Sequence, residues 1–366
     1  MNLEMITTCL THGRPYRLPF RDDDQVRENK PFFFSERDFR QLFPASVVDW
    51  MVEHARPIEA NGSGEQSRSA PIPPGFFPLP PPDELPVVVA VRLSISFPVL
   101  LSAVPLYAID FSRKEVANRR VERCWFSDGG ISSNFPVHFF DAAFPRWPTF
   151  GIDLVDTHPD YGAGVYVPDS NVGAVQVKWR HLKERPGSAA LADFLTTIVL
   201  TAKDWSDNAQ CRMPGFRDRI AQVSLDPADG GLNLQMDKEQ ITRVADYGRE
   251  AGRIFVDRFY HGRSSLNWEN HRQVRLRSSL ASIEEWLIKA EQGCANPQPG
   301  DLAYDQLIDS PAAPSYAWKG NQAGAAAALM AEMRATAKRL LRLLSSDRMA
   351  AGGPRPSAEL RHRPRV

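Results

Sequence analysis

The sequence predicts an α/β fold, and three observations carry that expectation. Apolar runs of strand length at residues 87–91, 121–126, 150–155 and 220–225 are interleaved with longer segments of helical period. Alternation of that kind predicts a mainly parallel sheet covered by helices. With 366 residues, 43% of them hydrophobic, the chain is long enough to bury a sizeable core, as one large domain with an appendage or as two domains.

The elements follow in chain order. Residues 3–8 predict a strand, Thr11 to Pro15 a turn, and residues 16–20 a second short strand. Arg21-Asp22-Asp23-Asp24 predicts a solvated turn, since it lacks the spaced ligands of a calcium loop. Residues 35–53 predict helix from the 3–4 spacing of Phe39, Leu42, Phe43, Val47 and Trp50, with Pro44 as a break. Residues 61–82, rich in Gly, Ser and Pro, predict a long loop. Pro86 then opens Val87-Val88-Val89-Ala90-Val91, whose continuous apolar run predicts a strand buried on both faces.

Residues 189–205 predict a helix with Leu191, Phe194, Leu195, Ile198 and Val199 on one stripe. Residues 237–260 predict another, opened by the capping pair Asp237 and Gln240. Ser282 and Glu285 predict a capping box at the start of a short helix. Residues 325–344 predict an Ala/Leu/Arg-rich helix, open to a packing, partner-docking or membrane-surface role. The basic segment 350–366, with Arg355, Arg361, Arg363 and Arg365, predicts a disordered tail.

Composition narrows the function classes. Formal net charge is zero, which removes the global electrostatic argument for nucleic acid or membrane. Cys9, Cys124, Cys211 and Cys294 lie far apart, with no C-x-x-C pair and no local His/Cys cluster. That spacing argues against a metal site or disulfide framework and fits a reducing compartment. The first residues show neither a basic nor an apolar leader region, and no apolar run is long enough to span a bilayer, so a cytoplasmic chain without cofactors is expected.

The segment most suited to chemistry is Cys124-Trp125-Phe126-Ser127-Asp128-Gly129-Gly130-Ile131-Ser132-Ser133-Asn134-Phe135-Pro136. Asp128 is a carboxylate at a strand end, and Gly129 and Gly130 let the backbone turn there. Ser94, Ser96, Ser127, Ser132 and Ser133 lie near it in sequence, but none sits in a nucleophile-elbow context. His138 and His158 read as structural or surface histidines, and Arg14 and Arg17 as salt-bridge formers.

Two stretches resemble patatin-like phospholipases. Ser127 to Pro136 is similar to that family's DGG/A motif and the N-x-P segment after it, and Arg92-Leu93-Ser94-Ile95-Ser96-Phe97-Pro98-Val99-Leu100 to a Ser/Pro-containing helix start ahead of its aspartate. Residues 3–19 are similar to a strand and hairpin between its catalytic motifs, and Gly230-Gly231-Leu232-Asn233-Leu234 is a weaker match. The resemblance implies a partial three-layer α/β/α domain with a helical C-terminal extension. It implies a serine–aspartate dyad acting on acyl lipid, with Asp128 as general base and Gly129 and Gly130 orienting it. The family's G-x-S-x-G elbow and glycine-rich oxyanion loop occur nowhere in the 366 residues, and in the family both precede the strand similar to residues 3–8.

The expectation is therefore a truncated lipid acyl hydrolase remnant, inactive alone. Its predicted parts are residues 1–160 (the DGG-bearing α/β part), 161–295 (a mainly helical extension) and 296–366 (linker, helix and basic tail). The alternative is an active acyl hydrolase whose G-x-S-x-G half is supplied upstream or by another chain. Expected partners are an acyl-lipid substrate or membrane surface and a protein that completes the sheet, with no specific nucleic acid. Some bacterial proteins of this resemblance carry labels as suppressors of heat-shock sigma-factor (RpoH) defects, which implies a non-catalytic, stress-linked alternative. Loss of the elbow strand and helix would expose apolar strand edges and leave the isolated chain marginally stable.

Overall fold

A computed structural model describes residues 3–20, 32–56, 71–97, 100–157, 162–171, 188–226, 228–229, 233, 235–295, 297–308, 310 and 316–360. The expectations for Arg21 to Asp24, Pro98, Val99, His158, Gly230 to Leu232, Leu234 and Arg361, Arg363 and Arg365 lie outside these residues, as does the part of the long loop at 61–70. The chain is mixed α/β, as its sequence predicts. It divides into two compact units, one within Met1–Phe139 and His181–Asp207, the other within Phe140–Arg180 and Asn208–Arg363.

The first unit is built on a six-stranded sheet in the order β2-β1-β6-β5-β3-β4. Its strands are β1 (Met5–Cys9), β2 (Arg14–Leu18), β3 (Phe33–Ser35), β4 (Phe76–Pro78), β5 (Val104–Ile109) and β6 (Val121–Asp128). Every pairing in it is antiparallel, which corrects the expectation of a mainly parallel sheet. The reason lies in the connections: the β1–β2 and β5–β6 links are too short to hold a crossover helix, so the chain must turn back on itself. Gly13 makes the first of these reversals at φ +63°, a conformation that favours glycine.

Side chains of one sheet face alternate into the main core. Cys9, Leu18, Phe34, Val104, Leu106, Ala108, Cys124 and Phe126 point there, while Phe33, Tyr107 and Ile109 form a small cluster on the other face. Three helices cover the main face. α1 (Glu36–Leu42) is capped by Ser35, whose hydroxyl accepts from the Asp38 amide, and α2 (Ala45–Glu53) follows the Pro44 break. They supply Phe39, Phe43, Val48 and Met51.

The third helix corrects the reading of residues 87–91. Val87–Ser94 is helix α3, not a strand, with Val89, Ala90 and Leu93 buried and Val87 and Val88 about half exposed. Pro86 is pre-set for a helix start, and burial on one side at i, i+1 and i+4 is a helical face. A run of valines has no period of its own, so neighbours decide its state. It follows that residues 94–97 lie at a helix end rather than a helix start.

The second unit holds a three-stranded sheet, β7-β9-β8, made of β7 (Gly151–Asp156), β8 (Gly164–Tyr166) and β9 (Ile220–Leu225). β7 and β9 are parallel and β8 pairs antiparallel to β9. Between β8 and β9 in sequence runs α4 (Ser188–Cys211). Its predicted stripe of Leu191, Phe194, Leu195, Ile198 and Val199 is present on the helix but at least half exposed.

Helix α5 (Lys238–Phe255) starts at the predicted capping box: the Gln240 amide donates to Asp237 Oδ1 at 2.8 Å, and the Asp237 amide donates to Gln240 Oε1 at 2.8 Å. α6 (Trp268–Ala295) corrects the Ser282/Glu285 reading, since Ser282 lies inside a 28-residue helix. Its hydroxyl donates to the Ser278 or Ala358 carbonyl, at 2.9 and 3.0 Å, instead of capping. α7 (Tyr304–Ile308) is short, and α8 (Gln322–Leu341) docks on α6 through Arg334 and Lys338 to Glu291, the packing role among those open to it. Residues 350–360 are not a disordered tail. The carbonyls of Ala351, Arg355 and Ala358 accept from Arg277, Arg217 and Ser282.

Candidate functional site

Asp128 closes β6 and caps the single turn Gly129–Ile131, with its Oδ1 accepting from the Gly130 amide at 2.6 Å. Gly129 has no room for a side chain beside the β1 backbone, and one on Gly130 would displace the Asn134 and Asp128 side chains. A Cβ on Gly129 would stand 2.2 Å from the Ile6 carbonyl oxygen, and one on Gly130 would stand 2.3 Å from Asn134 Oδ1 and 2.7 Å from Asp128 Oδ1. The two glycines therefore let the chain pass against β1 and let the carboxylate fold back over its own turn. Among the described residues, the second Asp128 oxygen takes no hydrogen-bond partner, so the carboxylate is held by one oxygen and free at the other.

Three elements fix this turn. Thr7 on β1 pairs with Asp128 in the ladder, and its buried hydroxyl lies 2.9 Å from both the Leu93 and Ser127 carbonyls. The Asp128 amide donates to the Ser96 carbonyl at 3.1 Å, just past the end of α3. The segment after the turn is tied to Asp207 of α4, which accepts from the Ser133 hydroxyl (2.8 Å), the Asn134 amide (2.6 Å) and the Phe135 amide (3.0 Å). Asp204 accepts from the Asn134 side chain at 3.2 Å. Asp207 had no signal in the sequence, because a lone aspartate on a helix 73 residues from Asn134 reads as a solvated charge.

Four of the five neighbouring serines, Ser96, Ser127, Ser132 and Ser133, have structural partners. Ser96 donates to the Arg92 carbonyl and accepts from the Arg92 guanidinium, both at 2.5 Å. Ser127 donates to the Ser96 carbonyl at 2.9 Å, and Ser132 shares a hydrogen bond with Thr8 at 2.9 Å. Among the described residues no serine hydroxyl bonds to Asp128. Arg17 pairs with Glu4, and Arg14 lies over the Tyr16 ring, 4.6 Å from its centroid. His138 packs edge-on against Phe139.

A second constellation was invisible in the sequence. Cys9 at the end of β1, His12 in the turn and Cys124 of β6 place their sulfur and ring-nitrogen atoms within 4.8 Å of one another. The reading of the cysteines as scattered holds along the chain but fails in space. The β1–β6 ladder sets Cys9 opposite Phe126, which puts Cys124, two residues back, on the same face. Cys124 Sγ lies 3.5 Å from His12 Nε2, and His12 Nδ1 lies 2.7 Å from the Tyr16 hydroxyl. The hydrogen bond from the Cys124 thiol, with His12 beside it, lowers the Cys9 pKa to about 5 against the opposing effect of burial. Cys124 is pushed up by the same hydrogen bond and by burial.

A surface depression of about 660 Å³ lies elsewhere, in the second unit, between Phe144 to Trp147 and the first turns of α6. It brings together no nucleophile and base. No helix among the described residues is long and apolar enough to cross a membrane.

No family model matches the chain. No solved structure matches it. The chain is similar to a protein of Rhizobium meliloti (strain 1021) named "RpoH suppressor", 36% identical over 329 residues. That match covers 79% of this chain and 48% of the relative, so the chain spans about half the length of the curated relative it matches.

Proposed function

We propose that residues 121–136 are the aspartate half of a serine–aspartate acyl-hydrolase site of the patatin-like kind, and that the described chain alone does not hydrolyse esters. The observation that carries this reading is the Asp128 turn: a strand-end carboxylate anchored through one oxygen to Gly130, with the other oxygen unpaired among the described residues. A general base needs that arrangement, with one oxygen to set its aim and one to take a proton. In this reading a serine hydroxyl transfers its proton to Asp128 as its oxygen attacks an acyl carbonyl, and backbone amides hold the oxyanion. Neither nucleophile nor oxyanion loop is assigned, because the sequence holds no G-x-S-x-G elbow and the Ser96, Ser127, Ser132 and Ser133 hydroxyls are bonded elsewhere.

The test uses a short-chain nitrophenyl ester. The purified chain is expected to hydrolyse it at the buffer rate. A longer protein that joins a G-x-S-x-G segment to this chain is expected to hydrolyse it, with loss of about 10²-fold or more in Asp128→Asn. Activity of the longer protein that ignores Asp128→Asn would overturn the reading.

A regulatory reading is supported by the name of the matched relative. In it the chain acts by binding within an RpoH-linked stress response and the Asp128 turn is structural. Suppression of a growth defect that survives Asp128→Asn, with the variant folded, favours this second reading over the first.

A further inference from the structure

The structure assigns Cys9, His12 and Cys124 as a site for a thiophilic divalent cation of the zinc type, with one coordination position open. A tetrahedral ion holding sulfur at about 2.3 Å and imidazole nitrogen at about 2.0 Å sets those two ligands about 3.5 Å apart. The Cys124 Sγ to His12 Nε2 separation is 3.5 Å, and all three donor atoms lie within 4.8 Å of one another. The ligands thus stand near the spacing a shared ion requires, with little chain movement left to make.

The supports around them match that use. His12 Nδ1 is engaged by the Tyr16 hydroxyl at 2.7 Å, which turns Nε2 toward the sulfurs. Ligating histidines are commonly oriented in this way by a partner on the other ring nitrogen. The Phe32 ring, its centroid 5.8 Å from that of His12, lies beside the imidazole. The turn that carries His12 is pinned to β6 just ahead of it: the Leu10 amide donates to the Trp125 carbonyl at 2.8 Å, and the Trp125 amide donates to Thr11 Oγ1 at 3.0 Å.

Both cysteines are buried and His12 is exposed, so an ion enters from the His12 side. Among the described residues no fourth Cys, His, Asp or Glu joins the three, which leaves the remaining position to water or an added ligand. Both sulfurs bind as thiolates and pass their protons to solvent. Two cysteines and a histidine favour zinc-type ions over calcium or magnesium, which take oxygen ligands. The inference does not depend on the acyl-hydrolase reading. The two sites share only the β1–β6 ladder, where an ion at Cys9 would brace the strand pair that presents Asp128.

The experiment titrates the reduced, metal-stripped chain with Co²⁺ as a spectroscopic probe and then displaces it with Zn²⁺. One equivalent of Co²⁺ should give the intense thiolate-to-cobalt absorption of a tetrahedral site, and Zn²⁺ should abolish it. Cys9→Ser and Cys124→Ser should lose the absorption, while a Cys211→Ser, Cys294→Ser double variant should keep it. Because a buried Cys→Ser change can unfold the chain, His12→Ala and Tyr16→Phe supply the deciding pair. The first should remove stoichiometric binding, and the second should weaken it about tenfold while leaving circular dichroism unchanged. Failure of the reduced wild-type chain to bind one equivalent of either ion overturns the assignment, as does stoichiometric binding undiminished in His12→Ala.

Discussion

In the first unit most buried apolar side chains form a large cluster that joins the sheet to three helices, with Tyr16, Phe20, Phe32 and Phe126 in mutual ring contact. In the second unit the corresponding apolar cluster is Ala221, Ala251 and Phe255. Charged groups occupy much of the rest. Asp141 pairs with Arg219 at 2.8 Å and Arg275 at 2.9 Å, and Asp218 lies 2.7 Å from His271. Arg258 donates to the Asp218 and Pro168 carbonyls. Gly215, at φ +77°, leaves room for the Arg275 side chain, which a Cβ would meet at 2.3 Å. Apolar packing is non-directional and tolerates adjustment, whereas buried ions need every partner in place. The first unit should therefore fail gradually as its side chains shrink, and the second abruptly as single partners are lost.

The largest expected effects set the two units side by side. Asp141→Ala takes the paired carboxylate from two buried guanidinium groups, Arg219 and Arg275, and should cost about 3–5 kcal/mol in the second unit. Burial already lowers the pKa of Arg219, with Asp141 the main opposing influence, so removing that carboxylate leaves more of the desolvation cost of its charge uncompensated. Phe126→Ala should cost a similar 3–5 kcal/mol in the first unit. Hydrogen exchange read segment by segment should localise each loss to its own unit. Equal loss of protection in both units from either change would break the comparison. Replacing Asp141, Arg219 and Arg275 together by Leu, Met and Met sharpens it, since a neutral or stabilising outcome would show that the ions are costly to break yet contribute little net stability.

A smaller effect is expected at the Asp128 turn. Gly129→Ala forces a methyl group against the Ile6 carbonyl and should destabilise by about 1–3 kcal/mol, with protection lost at β1 and β6. A denaturant midpoint unchanged from wild type would show that the turn relaxes without cost.

The smallest effect is a pH dependence. Asp229 is held below the usual carboxylate range by its hydrogen bond from Arg243, and Glu291 by its hydrogen bond from Arg334. Their folded pKa values are depressed, so the stability they add is present above the unfolded values of about 4 and is lost as pH falls through the folded ones. Both lie in the second unit. A urea midpoint measured from pH 7 down toward pH 3 should fall first in segments of α5, α6 and α8. Earlier loss in the first-unit sheet would contradict the contrast between the units.

The capping box at Asp237 and Gln240, the Pro44 break, Ser35 at the start of α1 and the strands predicted at 121–126 and 220–225 could all be read from local pattern. Each rests on a hydrogen bond or an alternation that spans only a few residues. The reading failed where burial had to choose among states. Val87 to Val91 suits strand or helix equally until Pro86 and the sheet face are in place. Ser282 and Glu285 have the spacing of a capping box, but a helix already passes through them. The exposed stripe of α4 has the period of a packing face, and the structure leaves it uncovered.

The candidate sites divide in the same way. The Asp-Gly-Gly turn was legible because a tight turn is a local event, and its glycines are required by contacts that open within six residues on one side and reach β1 on the other. Asp207, which anchors the segment after the turn, and the Cys9, His12 and Cys124 cluster were not legible.

By itself the sequence determined the local elements, the turn at Asp128 and the carboxylate it presents. The tertiary structure decided the antiparallel order of the six-stranded sheet, and with it which distant residues meet. Strand register is a property of two segments 120 residues apart, such as Thr7 and Ser127, and no local period records it. That register sets Thr7 against Asp128 and Cys9 two positions from Cys124 on the same face, so it created both candidate sites.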